Sequence, residues 1–244
     1  MKQVFAFIGS PLKTRSNTAA LTRMLLDRLV EKDPDIRFEL LTAGDVRLNY
    51  CTGCWACMLK GGCPQDKKDD MGMLKEKLLA ADLVIFGSPV YTMSVSGQMK
   101  TFLDRLAAWY HTIRLAGKPG VSVATTAGGG LEQVHDLQEM LMSGLGVKVV
   151  ARLDTRGYTA GRLADPDAAR QAAHSVAETV FPYLSGDQQV ESDANMEQAF
   201  QAMKAKSVGA RQWLPGDYEY WKQSGMIECE SYADLLAKIR RAKP

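Results

Sequence analysis

Short apolar runs alternate with longer segments of helical periodicity along the first three quarters of the chain. Each of five such runs predicts a buried strand, and each is followed by a segment whose apolar positions recur every three to four residues. This alternation is typical of βαβ units around a parallel sheet. The predicted strands are 4–8, 36–41, 83–86, 121–124 and 147–151, and the predicted helices cover about 18–30, 70–80, 97–110, 131–142 and 166–184.

Right-handed crossovers between these units give an α/β fold, a doubly wound three-layer sandwich of flavodoxin-like type with a five-stranded parallel sheet. The periodicity changes beyond residue 186. We therefore predict a flavodoxin-like domain over 1–186 and a helical C-terminal extension over 187–244. The extension should contain two helices, about 195–206 and 232–241, around an aromatic segment at 213–221. Because large aromatic clusters seldom stay exposed, this segment should pack on the domain or on a partner subunit.

The composition is balanced in charge, which narrows the choice of partners. The 244 residues carry 30 Lys and Arg against 28 Asp and Glu, so nothing argues for nucleic acid or an anionic membrane surface as a partner. No apolar segment approaches the roughly 18 residues of a spanning helix, and the N-terminus lacks the pattern of an export signal. A cytoplasmic, reducing location is expected, in which thiols stay free.

A loop rich in hydroxyl groups joins the first predicted strand to the first helix. Hydroxyls and backbone N–H groups at a helix N-terminus suit a phosphate group. The loop matches neither the Walker pattern nor G-x-G-x-x-G, and an ordinary capped helix start would use the same residue types, so that alternative stays open. The expected donors are Ser10, Ser16, Asn17 and Thr18, with added charge from Lys13 or Arg15.

Two further loops follow the third and fourth predicted strands. In a doubly wound sheet, the carboxyl ends of the first and third strands flank the crevice in which a mononucleotide binds. Glycine lets the backbone approach a flat ring closely, and tyrosine offers an aromatic face. The three loops together predict one ligand site, although a flexible loop and a core tyrosine would have the same composition. These two loops contribute Pro89, Val90, Tyr91, Thr126, Ala127, Gly128 and Gly129.

The phosphate loop, the glycine-rich loop and three segments between them resemble the NADPH-dependent FMN reductase family over about residues 1–150. The segments are Ser88-Pro89-Val90-Tyr91, Ser96-Gly97-Gln98-Met99-Lys100 and Phe102-Leu103-Asp104-Arg105. The family more often has Arg directly after the Pro and Gly before the Asn, where this chain has Leu12 and Ser16. The resemblance implies bound FMN and NAD(P)H as co-substrate. It places the phosphate at Ser10, Arg15, Ser16, Asn17 and Thr18, and the ring against Pro89, Val90, Tyr91 and residues 126–129.

Four of the five cysteines fall in one short stretch, residues 51–63, which we call the cysteine loop. Thiolates three residues apart on a tight loop can converge on one iron–sulfur cube, and a longer last spacing lets a single loop supply all four ligands. Zinc, a redox-active disulfide and unligated thiols are the alternatives, although zinc usually draws its thiolates from two separated pairs. The run reads Cys51-x2-Cys54-x2-Cys57-x5-Cys63-Pro64.

Together with the FMN-type fold, this run is similar to the iron–sulfur flavoprotein branch of the same family. The branch implies a [4Fe–4S] cluster on Cys51, Cys54, Cys57 and Cys63, ferredoxin as a donor, and a homodimer or homotetramer. No cluster of acids, bases or nucleophiles indicates protein-centred chemistry, so no catalytic side chain is predicted. Three functions follow: an FMN- and cluster-dependent oxidoreductase with a small-molecule acceptor, an NAD(P)H-dependent FMN or quinone reductase without a cluster, and a non-catalytic electron carrier or redox sensor.

Overall fold

The computed structural model describes residues 1–242 and contains six strands. They are β1 (Lys2–Ile8), β2 (Ile36–Thr42), β3 (Leu83–Tyr91), β4 (Ser94–Val95), β5 (Lys118–Thr126) and β6 (Val147–Arg156). Five of them form a parallel sheet in the order β2-β1-β3-β5-β6, while β4 pairs antiparallel with the end of β3. The strand order reverses beside β1, which confirms the predicted doubly wound, flavodoxin-like fold.

Helices cover both faces of the sheet and complete the three layers. In chain order they are α1 (Asn17–Lys32), α2 (Ala56–Lys60), α3 (Met71–Ala80), α4 (Gly97–Asp104), α5 (Ala107–Thr112), α6 (Leu131–Gly144) and α7 (Pro166–Ser185). The core on one face is shared by α1 and α7, and the core on the other by α3 to α6. Within residues 1–242 no helix has the length and apolarity needed to cross a membrane.

The strands alternate between these two cores, although they read as unbroken apolar runs. In β1, Val4 and Ala6 belong to the core of α1 and α7, whereas Phe5 and Phe7 belong to the opposite core. Phe7 stacks on Phe102 of α4, with ring centroids 4.1 Å apart. A parallel sheet is buried on both faces, and for this reason its strands lack the polar positions of an amphipathic strand.

The single helix predicted over 97–110 is interrupted, and this prediction is wrong in detail. The chain leaves α4 after Asp104 and resumes helical geometry at Ala107. Arg105 and Leu106, the two residues at the break, are both buried. At this break the Arg105 side chain contacts the segments on either side of the cysteine loop, at Asn49 and at Asp66 and Asp69.

The C-terminal extension forms three helices, α8 (Ala194–Gly209), α9 (Pro215–Gln223) and α10 (Tyr232–Ala242). The structure contains both predicted helices, and α9 is an additional one within the aromatic segment. Phe200, Trp221 and Tyr232 form the centre of a third core, which also includes Ile113 beside α5. Trp213 is 77% exposed, so it does not pack on the domain, and its packing on a partner subunit stays a prediction. The division into 1–186 and 187–244 stays a prediction, and its last two residues lie outside the described ones.

Candidate functional site

A crevice opens at the carboxyl ends of β1, β3 and β5, where the three predicted loops meet. Nine of the twelve residues predicted to bind a cofactor line it: Ser10, Ser16, Asn17, Thr18, Pro89, Val90, Tyr91, Thr126 and Ala127. Three predicted residues, Arg15, Gly128 and Gly129, are not among its lining residues. Six lining residues were not predicted: Leu12, Thr125, Gly157, Tyr158, Thr159 and Ala160.

The first turn of α1 provides the polar end of the crevice. Ser16 is the N-cap, and its Oγ accepts a hydrogen bond of 3.2 Å from the backbone N–H of Ala19. The N–H groups of the first helical residues have no partner within the helix and are available to an anion. Arg15 is exposed, and Lys13 pairs with Asp45 at 3.7 Å. Positive potential at this end therefore comes from the helix N-terminus.

Asn17 joins this turn to the loop after β6. Its Nδ2 donates hydrogen bonds to the carbonyls of Thr159 and Arg162, at 2.9 and 3.4 Å. A Cβ on Gly157 would lie 2.4 Å from the same Nδ2, so only glycine leaves room for the amide. The Asn17 Oδ1 is buried and accepts no hydrogen bond from the described residues. Because this oxygen has no accessible surface, the Asn17 amide shapes the crevice wall and does not present an acceptor to a ligand.

Serine side chains tie the phosphate loop to the loop after β3. The Oγ of Ser88 accepts a 2.9 Å hydrogen bond from the backbone N–H of Ser96. Ser96 caps α4 by accepting from the N–H of Met99 at 3.0 Å, and its own hydroxyl donates to the carbonyl of Gly9. These buried bonds fix the distance between the polar and apolar ends of the crevice.

The apolar end of the crevice is formed by the hairpin of β3 and β4. Tyr91 is 45% exposed there, so one side of its ring is open to a ligand. The two turn residues, Thr92 and Met93, have φ angles of 50° and 61°. Such left-handed conformations suit Asn-Gly turns, and they store strain in a threonine and a methionine. Opposite the hairpin, the hydroxyl of Thr126 donates to the carbonyl of Gly129 at 2.7 Å and shapes the glycine-rich loop.

Gly9→Ala is expected to weaken FMN binding about tenfold and to lower the free energy of unfolding by about 1–3 kcal/mol. A Cβ at Gly9 would lie 2.4 Å from Met99 Cβ and 2.9 Å from its backbone N. The end of β1 would have to move away from α4, which separates the two ends of the crevice. Fluorescence titration with FMN and urea denaturation measure the two effects.

Gly97→Ala is the control, because Gly97 lies in α4 as Met99 does, and no atom of a non-neighbouring residue among 1–242 lies within 4 Å of a Cβ there. It should bind FMN as the parent protein does. Equal FMN affinity in both variants would contradict the importance of the close packing at Gly9.

A buried arginine holds the two segments that flank the cysteine loop, residues 49–50 and 65–69, which we call the neck. The Arg105 guanidinium donates to the carbonyl of Asn49 before the loop, at 2.9 Å. After the loop it contacts Asp66 at 2.9 Å and forms a bidentate pair with Asp69. The side chains of Arg105 and Asp69 have no exposed surface. Burial opposes the charges on this pair, but the hydrogen bonds prevail: the pKa of Arg105 is raised and that of Asp69 is lowered.

Two more contacts close the neck. Gln65 Nε2 donates to the carbonyl of Tyr50 at 3.1 Å, directly across it. Lys75 of α3 reaches Asp66 with its ammonium group at 2.6 Å. The loop between these contacts therefore starts and ends at fixed points.

The four thiols differ in environment. Cys51 and Cys54 are exposed, and Cys57 and Cys63 are half-buried. Burial, and then the neighbouring Cys63, raise the pKa of Cys57, whereas the backbone N–H of Ala56 lowers the pKa of Cys54. Among residues 1–242, no three His, Cys, Asp or Glu side chains lie close enough to hold a metal ion. The donor set suits an iron–sulfur cluster, but the thiols are not gathered at one point.

Together, the doubly wound sheet and the crevice at its switch point define a flavodoxin-like α/β protein with a mononucleotide-type site. The family model for NADPH-dependent FMN reductase matches residues 2–154. The chain is also 33% identical over 231 residues to an iron–sulfur flavoprotein of Archaeoglobus fulgidus, a match that covers 93% of this chain and 100% of the relative. The chain belongs to the NADPH-dependent FMN reductase family, in its iron–sulfur flavoprotein branch. This confirms the predicted family and branch, and makes the protein a flavin-dependent oxidoreductase.

Two further similarities agree with this assignment. An iron–sulfur flavoprotein of Methanocaldococcus jannaschii is 34% identical over 140 residues, which covers 55% of this chain and 70% of the relative. The solved apo structure of an NADH:FMN oxidoreductase has a TM-score of 0.55 at 21% identity, over 80% of this chain and 94% of that one. At this identity, the second similarity supports the fold alone.

Proposed function

We propose that the protein binds FMN in the crevice and a [4Fe–4S] cluster on the cysteine loop, and transfers electrons from ferredoxin or NAD(P)H to a small-molecule acceptor. The observation that carries the proposal is that the segment leading from β2 into the cysteine loop starts at the edge of the sheet that bears the crevice. Gly44, shortly before the neck, approaches the phosphate loop so closely that a Cβ would lie 2.4 Å from the carbonyl oxygen of Pro11. The segment that enters the cysteine loop thus borders the phosphate loop.

The crevice residues match the parts of FMN by chemistry. The first turn of α1, with Ser10, Ser16 and Thr18, would hold the phosphate through N–H and hydroxyl groups. Asn17 would shape the crevice wall beside the ribityl chain, because its amide N–H groups are bound to the carbonyls of Thr159 and Arg162. Pro89, Val90 and Tyr91 would lie against the ring, with residues 126–129 opposite. Bound FMN supplies one- and two-electron chemistry, while these residues set its orientation and exclude water.

The cysteine loop supplies the ligand type that iron–sulfur clusters use. Cys51, Cys54, Cys57 and Cys63 would be the four thiolate ligands, as the relatives named iron–sulfur flavoproteins suggest. The fixed neck limits the loop to small rearrangements, and cluster binding would draw the four thiols together. Arg105 and Lys75 place positive charge beside the cysteine loop; the charge of Lys75 opposes the rise in the pKa of Cys57, but burial outweighs it.

The proposal is tested by purification without oxygen and analysis of iron and FMN. The parent protein should contain about four irons per chain and absorb near about 400 nm beneath the flavin bands. Cys57→Ser should lose the iron and keep FMN, whereas the control Cys229→Ser should keep both, because Cys229 is buried in the C-terminal extension. Full FMN with iron near zero in the parent protein would favour an NAD(P)H-dependent FMN or quinone reductase without a cluster.

The donor, the assembly and the location remain proposals of their own. Rapid reduction of the flavin by NADPH would support NADPH as donor and exclude a pure electron carrier. A homodimer or homotetramer, implied by the family branch, is checked by sedimentation of the holoprotein. A cytoplasmic location is checked by fractionation of cells that express the chain.

A further inference from the structure

Helix α2, which carries Cys57, packs against the first turn of α9 in the C-terminal extension. A Cβ on Gly216 would lie 2.6 Å from the backbone N of Gly61 and 2.7 Å from the carbonyl oxygen of Met58. Both of these are backbone atoms, which cannot rotate away as a side chain does. The two backbones therefore touch at Gly216, and no other residue type fits there without moving the cysteine loop.

Close approach, and not backbone conformation, explains the glycine at 216. The φ angle of Gly216 does not lie in the left-handed region, so any residue could adopt its conformation. In helices, glycine is less favourable than alanine. Gly216 therefore weakens α9, and the contact with the cysteine loop is what its small size provides.

Helix α9 is itself fixed to α5 of the domain. The carboxylate of Asp217 accepts from His111 Nδ1 at 2.7 Å, while Lys206 donates to His111 Nε2 at 2.8 Å. Trp221 Nε1 donates to the carbonyl of His111 at 2.9 Å. The Arg114 guanidinium also lies over the ring of the α9 residue Tyr220, 3.6 Å from its centroid. Because these contacts fix α9, α9 can restrict the movement of the cysteine loop that packs on it.

We propose that α9 seats the cysteine loop and that Gly216 is a positioning residue for the thiol ligands. The inference rests on the proposed cluster for its functional meaning, although the seating itself concerns the thiols with or without iron. The neck holds the two ends of the loop, and α9 holds its middle at α2. Together they limit how far Cys57 and Cys63 can move from their places in the loop.

Gly216→Ala tests the seating in two ways. In the iron-free protein, alkylation of Cys57 should be about threefold faster than in the parent, with Cys51 unchanged, because the half-buried thiol loses its cover. In the iron-containing protein, a chelator should remove iron about threefold faster. FMN content should stay at the parent value, whereas the urea midpoint should fall because the added Cβ presses on backbone atoms. Peptide mass spectrometry gives the alkylation rates, and iron release is followed by absorbance.

Gly209→Ala is the matched control, because Gly209 lies in α8 of the same extension and no atom of a non-neighbouring described residue lies within 4 Å of a Cβ there. It should match the parent in every measurement. Asp217→Asn is a second variant, which loosens α9 without adding atoms. It should also speed alkylation of Cys57 and removal of iron, but by less than Gly216→Ala does.

The possible failures are distinguishable. Parent values for both rates in Gly216→Ala and Asp217→Asn would overturn the seating. A parent protein without iron, combined with faster alkylation of Cys57 in Gly216→Ala, would overturn the proposed cluster and support the seating.

Discussion

Arg105→Leu should lower the free energy of unfolding at pH 7 by about 3–5 kcal/mol and release the cysteine loop. The leucine would leave Asp69 as a fully buried carboxylate without its cation, and the carbonyl of Asn49 without its donor. Both segments of the neck would then separate from α4. Urea denaturation measures the loss, and the alkylation rates of the loop thiols report the release.

Lys100→Leu is the control for this prediction. Lys100 also pairs with a carboxylate, that of Asp104, but the two side chains are 54% and 46% exposed. Exposed pairs contribute at most about 1 kcal/mol, so this variant should stay within that range. A loss in Arg105→Leu no larger than that in Lys100→Leu would mean that the neck does not depend on the buried pair.

The effect of Arg105→Leu should also depend on pH. The folded-state pKa of Asp69 is below its ordinary value, so this carboxylate stabilises the fold above an ordinary carboxyl pKa of about 4 and less as pH falls through the folded pKa. In the variant, the Arg105 charge and hydrogen bonds that lower the pKa of Asp69 are gone, so burial raises this pKa above its value in the parent protein. Protonation of Asp69 then removes the uncompensated buried charge. The stability difference between parent and variant should therefore narrow below about pH 4. A difference that is constant from pH 7 to pH 3 would contradict this.

Trp221→Ala should remove about 3–5 kcal/mol from the stability of the C-terminal extension. The side chain has no exposed surface, and its ring centroid lies 5.3 Å from that of Phe200. Its loss also removes the hydrogen bond to the carbonyl of His111 that anchors α9. Near-ultraviolet circular dichroism during urea denaturation should show two transitions. The extension should unfold at the lower urea concentration, and the domain should still hold FMN there.

Trp213→Ala provides the comparison, because Trp213 belongs to the same segment and is 77% exposed. A substitution at such a position should change stability by less than about 0.5 kcal/mol. If unfolding of the extension and release of FMN occurred in one shared transition in Trp221→Ala, the predicted boundary at 186 would not separate two folding units.

The order of strands and helices in the domain could be predicted because each element has its own hydrophobic period. The same reasoning places most of the crevice, since parallel strands end at one edge and their loops must meet there. The loop at 157–160 was missed because its residues carry no motif and lie far along the chain from the phosphate loop. Its position after a fifth parallel strand was the one available signal.

Other parts of the structure depend on contacts that sequence patterns do not record. The aromatic residues of α9 do not follow a helical period, although Pro215 at its first position is a helix-start signal. The partners of Arg105 lie 36 and 39 residues away along the chain, so no local pattern identifies them. The sequence gives no reason for a glycine at 216, because the reason is its contact with the backbone of Met58 and Gly61.

The contact between α2 and α9 also bears on how this architecture can be transferred to another protein. The family match ends at residue 154, whereas the surface under the cysteine loop begins beyond residue 214. Grafting residues 51–63 onto a short FMN reductase would transfer the four thiols without the surface that supports them. A working chimaera should need α9 as well, together with the α5 residues to which α9 is bound. The cysteine loop and α9 would therefore have to be transferred together, although they lie far apart in the sequence.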